Sequence, residues 1–481
     1  MSGLFSAIST SANALDVFQS ALDTIQNNVT NSSTPGYATQ TLNLQAMPFQ
    51  PTAGLPGGVS AGQVQSARDE YSEQSVRQQF SALGTLEQSS QSLSNIELNF
   101  NVSNDSGIPG TLNTLLQNFS AWSVTPSDST ARQSVIDSAQ QLTQAFQQAA
   151  AGLAQNSSDT GLQIQQTVTQ INSLSAQLQA FNVQRINGGA NDAGLDAQIH
   201  STLEQLSEYG AVTATTQPDG TVTVLLGGQT PLVIGTQQYA ISASFSVPAK
   251  PPATIAGGAP PARILDSGGA DITSTISQGK LAGQLNVYNN ILPSLIGNAY
   301  QQGGLNQMAQ SVADRVNQLL QSGNISDGPP PVPGVALFTY DAAHPAAIAQ
   351  TLTLNNAITP DQLAAIDPGP PYVSNGIALQ LAGLATPTSA ADEINGSSYA
   401  QFYGNLAASV GSQAASAQNQ MNVQQQVLAQ ARNLRSEASG VSLNDQAAQM
   451  LQFQKAYEAA SKMVTVLDQL TQDTINMLPT P

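Results

Sequence analysis

The two ends of this chain carry the same pattern. Near the N-terminus Leu15, Phe18, Leu22, Ile25 and Val29 recur at alternating spacings of three and four, continued backwards by Leu4 and Ile8. That spacing draws one narrow apolar stripe down an α-helix. At the C-terminus Tyr457, Ala460, Val464, Leu467, Thr471, Thr474 and Leu478 repeat the alternation, with Met463, Leu470, Ile475 and Met477 widening the face. Heptad stripes are buried only against other helices, and a lone helix is marginal in water because nucleation is costly. The ends must therefore meet each other or the ends of neighbouring chains.

Between the ends the pattern is mostly helical. Ser442 with Asp445 three residues on starts the C-terminal helix, and Gly440 separates it from a Gln- and Ala-rich helix over residues 399–439. Further helices are predicted at 68–100, 112–122, 129–155, 161–181 and, after the middle, 281–320. Residues 211–226 change period: Val212 to Thr216, a Pro218-Asp219-Gly220 turn, then Thr221 to Val224 read as a β-branched hairpin. Strand-like runs follow at 232–234 and 239–247, then a Pro- and Gly-rich loop at 248–261 that no central strand accommodates. Thr359 before Pro360 starts a short helix.

The predicted fold is mainly α with a β insertion: a long helical bundle or coiled coil formed by both chain ends, plus a small β-rich outer domain. Residues 1–45 and 441–481 are the terminal assembly helices. Residues 46–210, 277–330 and 395–440 form a long-helix bundle, 211–276 the β-rich outer domain, and 331–394 a mixed segment of loops and short strands attached to the bundle.

Composition limits the chemistry. Only 9% of the 481 residues are charged, against about 25% in an ordinary soluble protein. Twelve basic against 30 acidic residues give a net charge of −18, which argues against nucleic acid as a partner, since affinity for phosphate rests on clustered Lys and Arg. With no cysteine, disulfides, thiolate nucleophiles and Cys-based metal sites are excluded. No run reaches the ~18 apolar residues of a membrane helix. The first basic residue is Arg68, so the start lacks the charge of a cleaved secretory signal.

The chain has two histidines, His200 and His344. Asp196, His200 and Glu204 lie four residues apart on one helical face, and the expectation is a solvated polar face of the common i, i+4 kind. His344, before Pro345, is expected to be an exposed loop residue, and Phe119 and Trp122 to pack a core. Gly188-Gly189 and Gly227-Gly228 lack the continuation of a phosphate-binding loop. No catalytic, cofactor or metal site is predicted, and the chain is not expected to be an enzyme.

The stretch after the first helix is distinctive: Asn28-Val29-Thr30-Asn31 leads into Thr34-Pro35-Gly36-Tyr37, with Gln40 following. Together with the amphipathic N-terminal helix, this run resembles the axial proteins of the bacterial flagellum. At the other end Ser439-Gly440-Val441-Ser442-Leu443-Asn444-Asp445, then Gln454-Lys455-Ala456-Tyr457-Glu458-Ala459, is similar to the hook-associated protein 1 family within that group. Interior matches, among them Gln170 to Leu174 and Asp219 to Val222, fall in the family's order.

The resemblance implies a structural axial protein that forms the junction layer between hook and filament by helical self-assembly through its terminal helices. It implies an extracellular flagellar location, reached through the flagellar type III apparatus without a cleaved signal peptide. The implied partners are copies of itself, the hook protein, hook-associated protein 3, and an export chaperone on the C-terminal helix; nucleic acid and membrane insertion are not. The predicted assembly and partner contacts are Leu15, Phe18, Leu22, Ile25, Asn28, Val29, Asn31, Pro35, Gly36 and Tyr37 at one end. At the other they are Leu443, Leu451, Tyr457, Val464, Leu467 and Leu478. The terminal helices are expected to be poorly ordered in the free chain and to fold on assembly. Alternatives are another axial protein of hook or rod type, a secreted adhesin of similar composition, or a cell-wall hydrolase using the Asp196 to Glu204 face.

Overall fold

Apolar spacings of three and four persist over most of the chain, and long helices follow from them. A computed structural model describes residues 2–50, 55–100, 107–189, 192–328 and 330–477. In chain order the principal elements are α1 (Ser2–Thr30), β1 (Gln40–Ala46), β2 (Val59–Ser66), α2 (Glu70–Glu97), α3 (Gly107–Val124), α4 (Ser129–Gln184) and α5 (Ala193–Tyr209). Then come β3 (Val212–Thr216), β4 (Val222–Leu226), β5 (Thr230–Ile234), β6 (Gln237–Gln238), β7 (Ser242–Phe245) and β8 (Ala262–Leu265). The chain closes with α6 (Gly304–Ser322), α7 (Tyr399–Ser439) and α8 (Leu443–Asn476).

Two compact units divide the chain. One comprises Met1–Phe80, Ser173–Tyr239 and Gln425–Pro481, the other Ser81–Asn172 and Ala240–Gln424.

In the first unit α1 and α8 pack together, and the β1–β2 hairpin, antiparallel with a bulge between Leu42 and Leu44, joins α1 to the rest. The sequence reading places no strand there. Each face of this ribbon is short of apolar residues, so alternation is faint. The predicted hairpin at 211–226 is present as β3 and β4, and extends through β5 and β6 to a four-stranded antiparallel sheet. Its buried face is Val222, Val224, Leu226, Leu232 and Val233. Asp219 fixes the turn by accepting from the Thr221 amide at 2.9 Å and its hydroxyl at 2.7 Å.

In the second unit one large core gathers Leu115, Phe119 and Trp122 of α3, Leu142 and Phe146 of α4, and Met308, Val312 and Val316 of α6. Phe119 and Trp122 pack as expected. β7 and β8 form their own two-stranded sheet in this unit. The strands between 211 and 276 therefore make two separate sheets rather than one continuous layer.

Helix lengths differ from the sequence reading where local signals mislead. α4 is one helix of 56 residues, not two, and passes straight through residues 156–160. Buried Leu153 and Ile164 flank that polar stretch, so packing on both sides outweighs the weak helix propensity of its Ser, Asp and Thr residues. The stretch 281–320 breaks at Gly297 and Gly303, both at φ of +82°, a region only glycine enters freely.

Candidate functional site: the paired chain ends

α1 and α8 run antiparallel. Phe18 packs on Phe453 with ring centroids 6.2 Å apart, while ten residues later Asn28 reaches back to Gln446. On α8 the face toward α1 is Gln446, Met450, Phe453, Ala460, Val464, Leu467 and Thr471, all buried or half-buried at heptad spacing. On α1 the buried positions are Ser11, Val17, Ala21, Ile25 and Asn28.

Of the predicted contacts, Ile25 and Asn28 are buried, and Leu15, Phe18, Leu22, Asn31, Gly36, Tyr37, Val464 and Leu467 half-buried. Val29 and Pro35 face solvent, as do Leu443, Leu451 and Tyr457, while Leu478 lies outside the described residues. The seam of α1 is displaced from the predicted stripe because Asn28 turns inward to its hydrogen bonds, which carries Val29 out.

Asn28 is the centre of this junction. Its Nδ2 donates to the Gln40 carbonyl at 2.8 Å and to Gln446 Oε1 at 2.9 Å. Its Oδ1 accepts from the Gln40 amide at 2.8 Å and from the Tyr37 hydroxyl at 2.9 Å. Burial pushes the Tyr37 phenol above its ordinary range. Beside it the Thr39 amide and hydroxyl donate to the carbonyls of Ser439 and Gly440, at 2.9 and 2.8 Å. The Thr34-Pro35-Gly36-Tyr37 turn is required by close approach: Gly36 sits at φ +76°, and a Cβ there would lie 2.4 Å from the Ala197 carbonyl oxygen.

An ion-pair network lies under that turn. Arg68 donates to the Gly36 carbonyl at 2.6 Å and pairs with Glu73 at 2.5 Å and Asp196 at 2.8 Å. Arg185 pairs with Asp196 at 2.5 Å, and Arg435 bridges Glu204 at 2.6 Å and Glu73 at 3.3 Å. Arg432 adds a contact to Glu204 at 3.3 Å and covers the Phe80 ring at 4.4 Å.

The face carrying Asp196, His200 and Glu204 is thus not a solvated one. The segments bearing Arg68, Arg185 and Arg435 cover it, and none of those segments is near it in sequence except Arg185. His200 is 6% exposed. Burial first, then the positive field of Arg68, pulls its imidazole down to about 3. It is therefore neutral, and its 3.9 Å approaches to Glu70 and Asp196 are not ion pairs. Burial alone raises the Asp196 carboxyl, but the charges of Arg68 and Arg185 outweigh it and hold the group below its usual range. Asp196 and Glu204 are both held in ion pairs, while His200 lies buried between them with its Nδ1 unpartnered among the described residues. His344, in the other unit, is half-exposed and pairs with Asp341 at 2.6 Å.

Sequence reasoning missed one recurrent device. Among the described residues five asparagines on helices each bond both the amide and the carbonyl of one strand residue or its neighbour in an extended segment. Asn28 does so with Gln40, Asn172 with Ile241, Asn182 with Val222, Asn289 with Ala262 and Asn317 with Phe338. A carboxamide has the donor and acceptor of a peptide group, so each side chain bonds a backbone position that no neighbouring strand reaches. This is one way a chain so poor in charge satisfies its buried backbone.

The residues brought together here are structural contacts: antiparallel terminal helices tied through a hydrogen-bonded turn. The model of the flagellar hook-associated protein FlgK helical domain matches residues 93–338, just over half the chain. The chain belongs to that family, and is a hook-associated structural component of the bacterial flagellum. A second model, of the flagellar basal body rod FlgEFG protein C-terminal region, matches residues 432–477, the segment containing α8. Flagellar hook-associated protein 1 of Bacillus subtilis (strain 168) is 26% identical over 521 aligned positions, covering 99% of both chains. The solved flagellar hook junction protein FlgK of Burkholderia pseudomallei shares the fold, with a TM-score of 0.64 at 14% identity over 77% of this chain and 100% of that one. No described helix is long and apolar enough to cross a membrane.

Proposed function

We propose that the chain forms the thin layer of subunits that joins hook to filament, and that its copies assemble helically through α1 and α8. The observation that carries this reading is a second apolar seam on α8. Met463, Val466, Leu470 and Met477 follow heptad spacing on a face turned away from α1, and each is about half or more exposed. A soluble helix rarely leaves such a line uncovered, and neighbouring subunits would cover it.

The hook protein and hook-associated protein 3 are the proposed neighbours. Before assembly the chain passes unfolded through the flagellar type III apparatus, with an export chaperone shielding α8, and it ends outside the cell. The proposed contacts are the α1 and α8 residues named above together with the Asn28 to Tyr37 turn. The domain division proposed with them keeps residues 1–45 and 441–481 as the assembly segments.

Labelled protein on sheared flagella is expected only at the hook–filament boundary, and removal of residues 441–481 is expected to abolish that signal. Label along the hook or the whole filament would instead support a hook-type or filament role.

A further inference from the structure

The β1–β2 ribbon has two free edges. Among the described residues it pairs with no other strand. The ladder bonds Thr39 to Ala67 at one end and Met47 to Gly58 at the other. Alternation along an antiparallel strand then turns the backbone groups of Gln40, Leu42, Leu44 and Ala46 to the outer edge of β1. At Gln40 the side chain of Asn28 occupies the place of the next strand. Beyond Gln40 no described residue does.

The contrast with the other asparagine-capped strands is informative. The edge strands capped at Ala262 and Phe338 have four and two residues, so a single carboxamide covers much of the edge, and the five-residue strand capped at Val222 is paired on both sides by other strands. β1 has seven residues and β2 eight. The bulge places its extra residue in β2, between Ala61 and Val64, and leaves β1 regular.

Soluble proteins guard such edges with charge, inward-pointing charged residues or proline. Residues 24–67 contain no Asp, Glu, Lys, Arg or His, and neither labelled strand contains proline. In a chain of net charge −18 this is a surface on which two copies meet without like-charge repulsion.

We infer that the outer edge of β1 in one copy pairs with the outer edge of β2 in the next, by addition of strand to strand. An antiparallel hairpin repeated by translation continues as an antiparallel sheet, so the contact is head-to-tail and non-closing, as a helical layer requires. This inference deepens the proposed function and rests on it: the occupant is a second copy of this chain in the same layer.

The test uses two single-cysteine chains, Gln45→Cys and Gln63→Cys, both exposed positions in a chain free of cysteine. They are expressed together in cells deleted for their own copy, and isolated flagella are treated with a short bismaleimide. A cross-linked dimer is expected only when both chains are present, and it is expected to be lost in Ala46→Pro. That substitution removes an outward amide and no bond of the hairpin's own ladder. Circular dichroism of the purified variant reads whether the chain still folds.

Protein confined to the hook–filament boundary without a cross-link overturns the strand pairing and leaves the junction role intact. Equal cross-linking of Gln45→Cys with itself overturns the head-to-tail arrangement. Absence of the chain from flagella overturns both readings.

Discussion

Asn28 does at one position what a whole strand does elsewhere. Its four hydrogen bonds tie the end of α1 to Gln40 and to Gln446 of α8, so one buried polar residue specifies how the two ends register, as single buried asparagines do in coiled coils. Asn28→Ala leaves the Gln40 backbone and the Gln446 amide without these partners. The expected cost is about 3 kcal/mol, roughly a hundredfold in the association equilibrium. It is expected as lower incorporation into flagella, measured by quantitative labelling, with the melting temperature of the free chain's body unchanged. His200 acts through pH. Its folded pKa, about 3, lies below the unfolded value of 6.5, so below pH 6.5 the unfolded chain binds a proton that the folded one refuses. Stability is therefore complete above pH 6.5 and falls on acidification, by about 2 kcal/mol at pH 5. His200→Gln is expected to flatten this part of the stability-against-pH curve measured by denaturant titration.

At the scale of elements, α8 is a long helix held by one seam, against α1, while α1 packs on the β1–β2 ribbon as well. A helix with a single narrow partner and an exposed apolar face gains little from packing in the free chain, and most helical stability in water comes from packing. Amide hydrogens of α1 and α8 are therefore expected to exchange quickly in the monomer, and to become protected once the chain is incorporated. Strong protection of both helices in the monomer would sink the proposal that they fold on assembly. α4 shows the opposite case. Buried residues recur along it from Val135 to Leu178, and that continuous burial carries the helix through a polar stretch that local propensity reads as a break.

For the molecule as a whole, the low charge has a structural counterpart. Five of the twelve basic residues, Arg68, Arg77, Arg185, Arg432 and Arg435, gather around Asp196, Glu204, Glu70 and Glu73 in one unit. Elsewhere carboxamides and hydroxyls supply much of the internal polar contact, and the ribbon between Asp23 and Arg68 has no charge at all. Packing many like copies in a layer favours such a surface, because repulsion between identical charged faces scales with the charge they carry.

The helical character of both chain ends, the Ser442 cap, the 211–226 hairpin and the Phe119 and Trp122 core were legible in the sequence because each depends on residues a few positions apart. Period, capping and turn chemistry are local, and local physics is written in order along the chain. The partners of Asp196 and Glu204 and the burial of His200 were not legible: Arg68 and Arg435 lie 128 and 231 residues from the carboxylates they meet. The same holds for Asn28 and Gln446, 418 residues apart, and for each asparagine that closes a strand edge. Sequence alone determined that the two ends are helices in want of partners. Only the tertiary structure decided which face each turns to the other, because burial and hydrogen bonding act on distances in space that no spacing along the chain encodes.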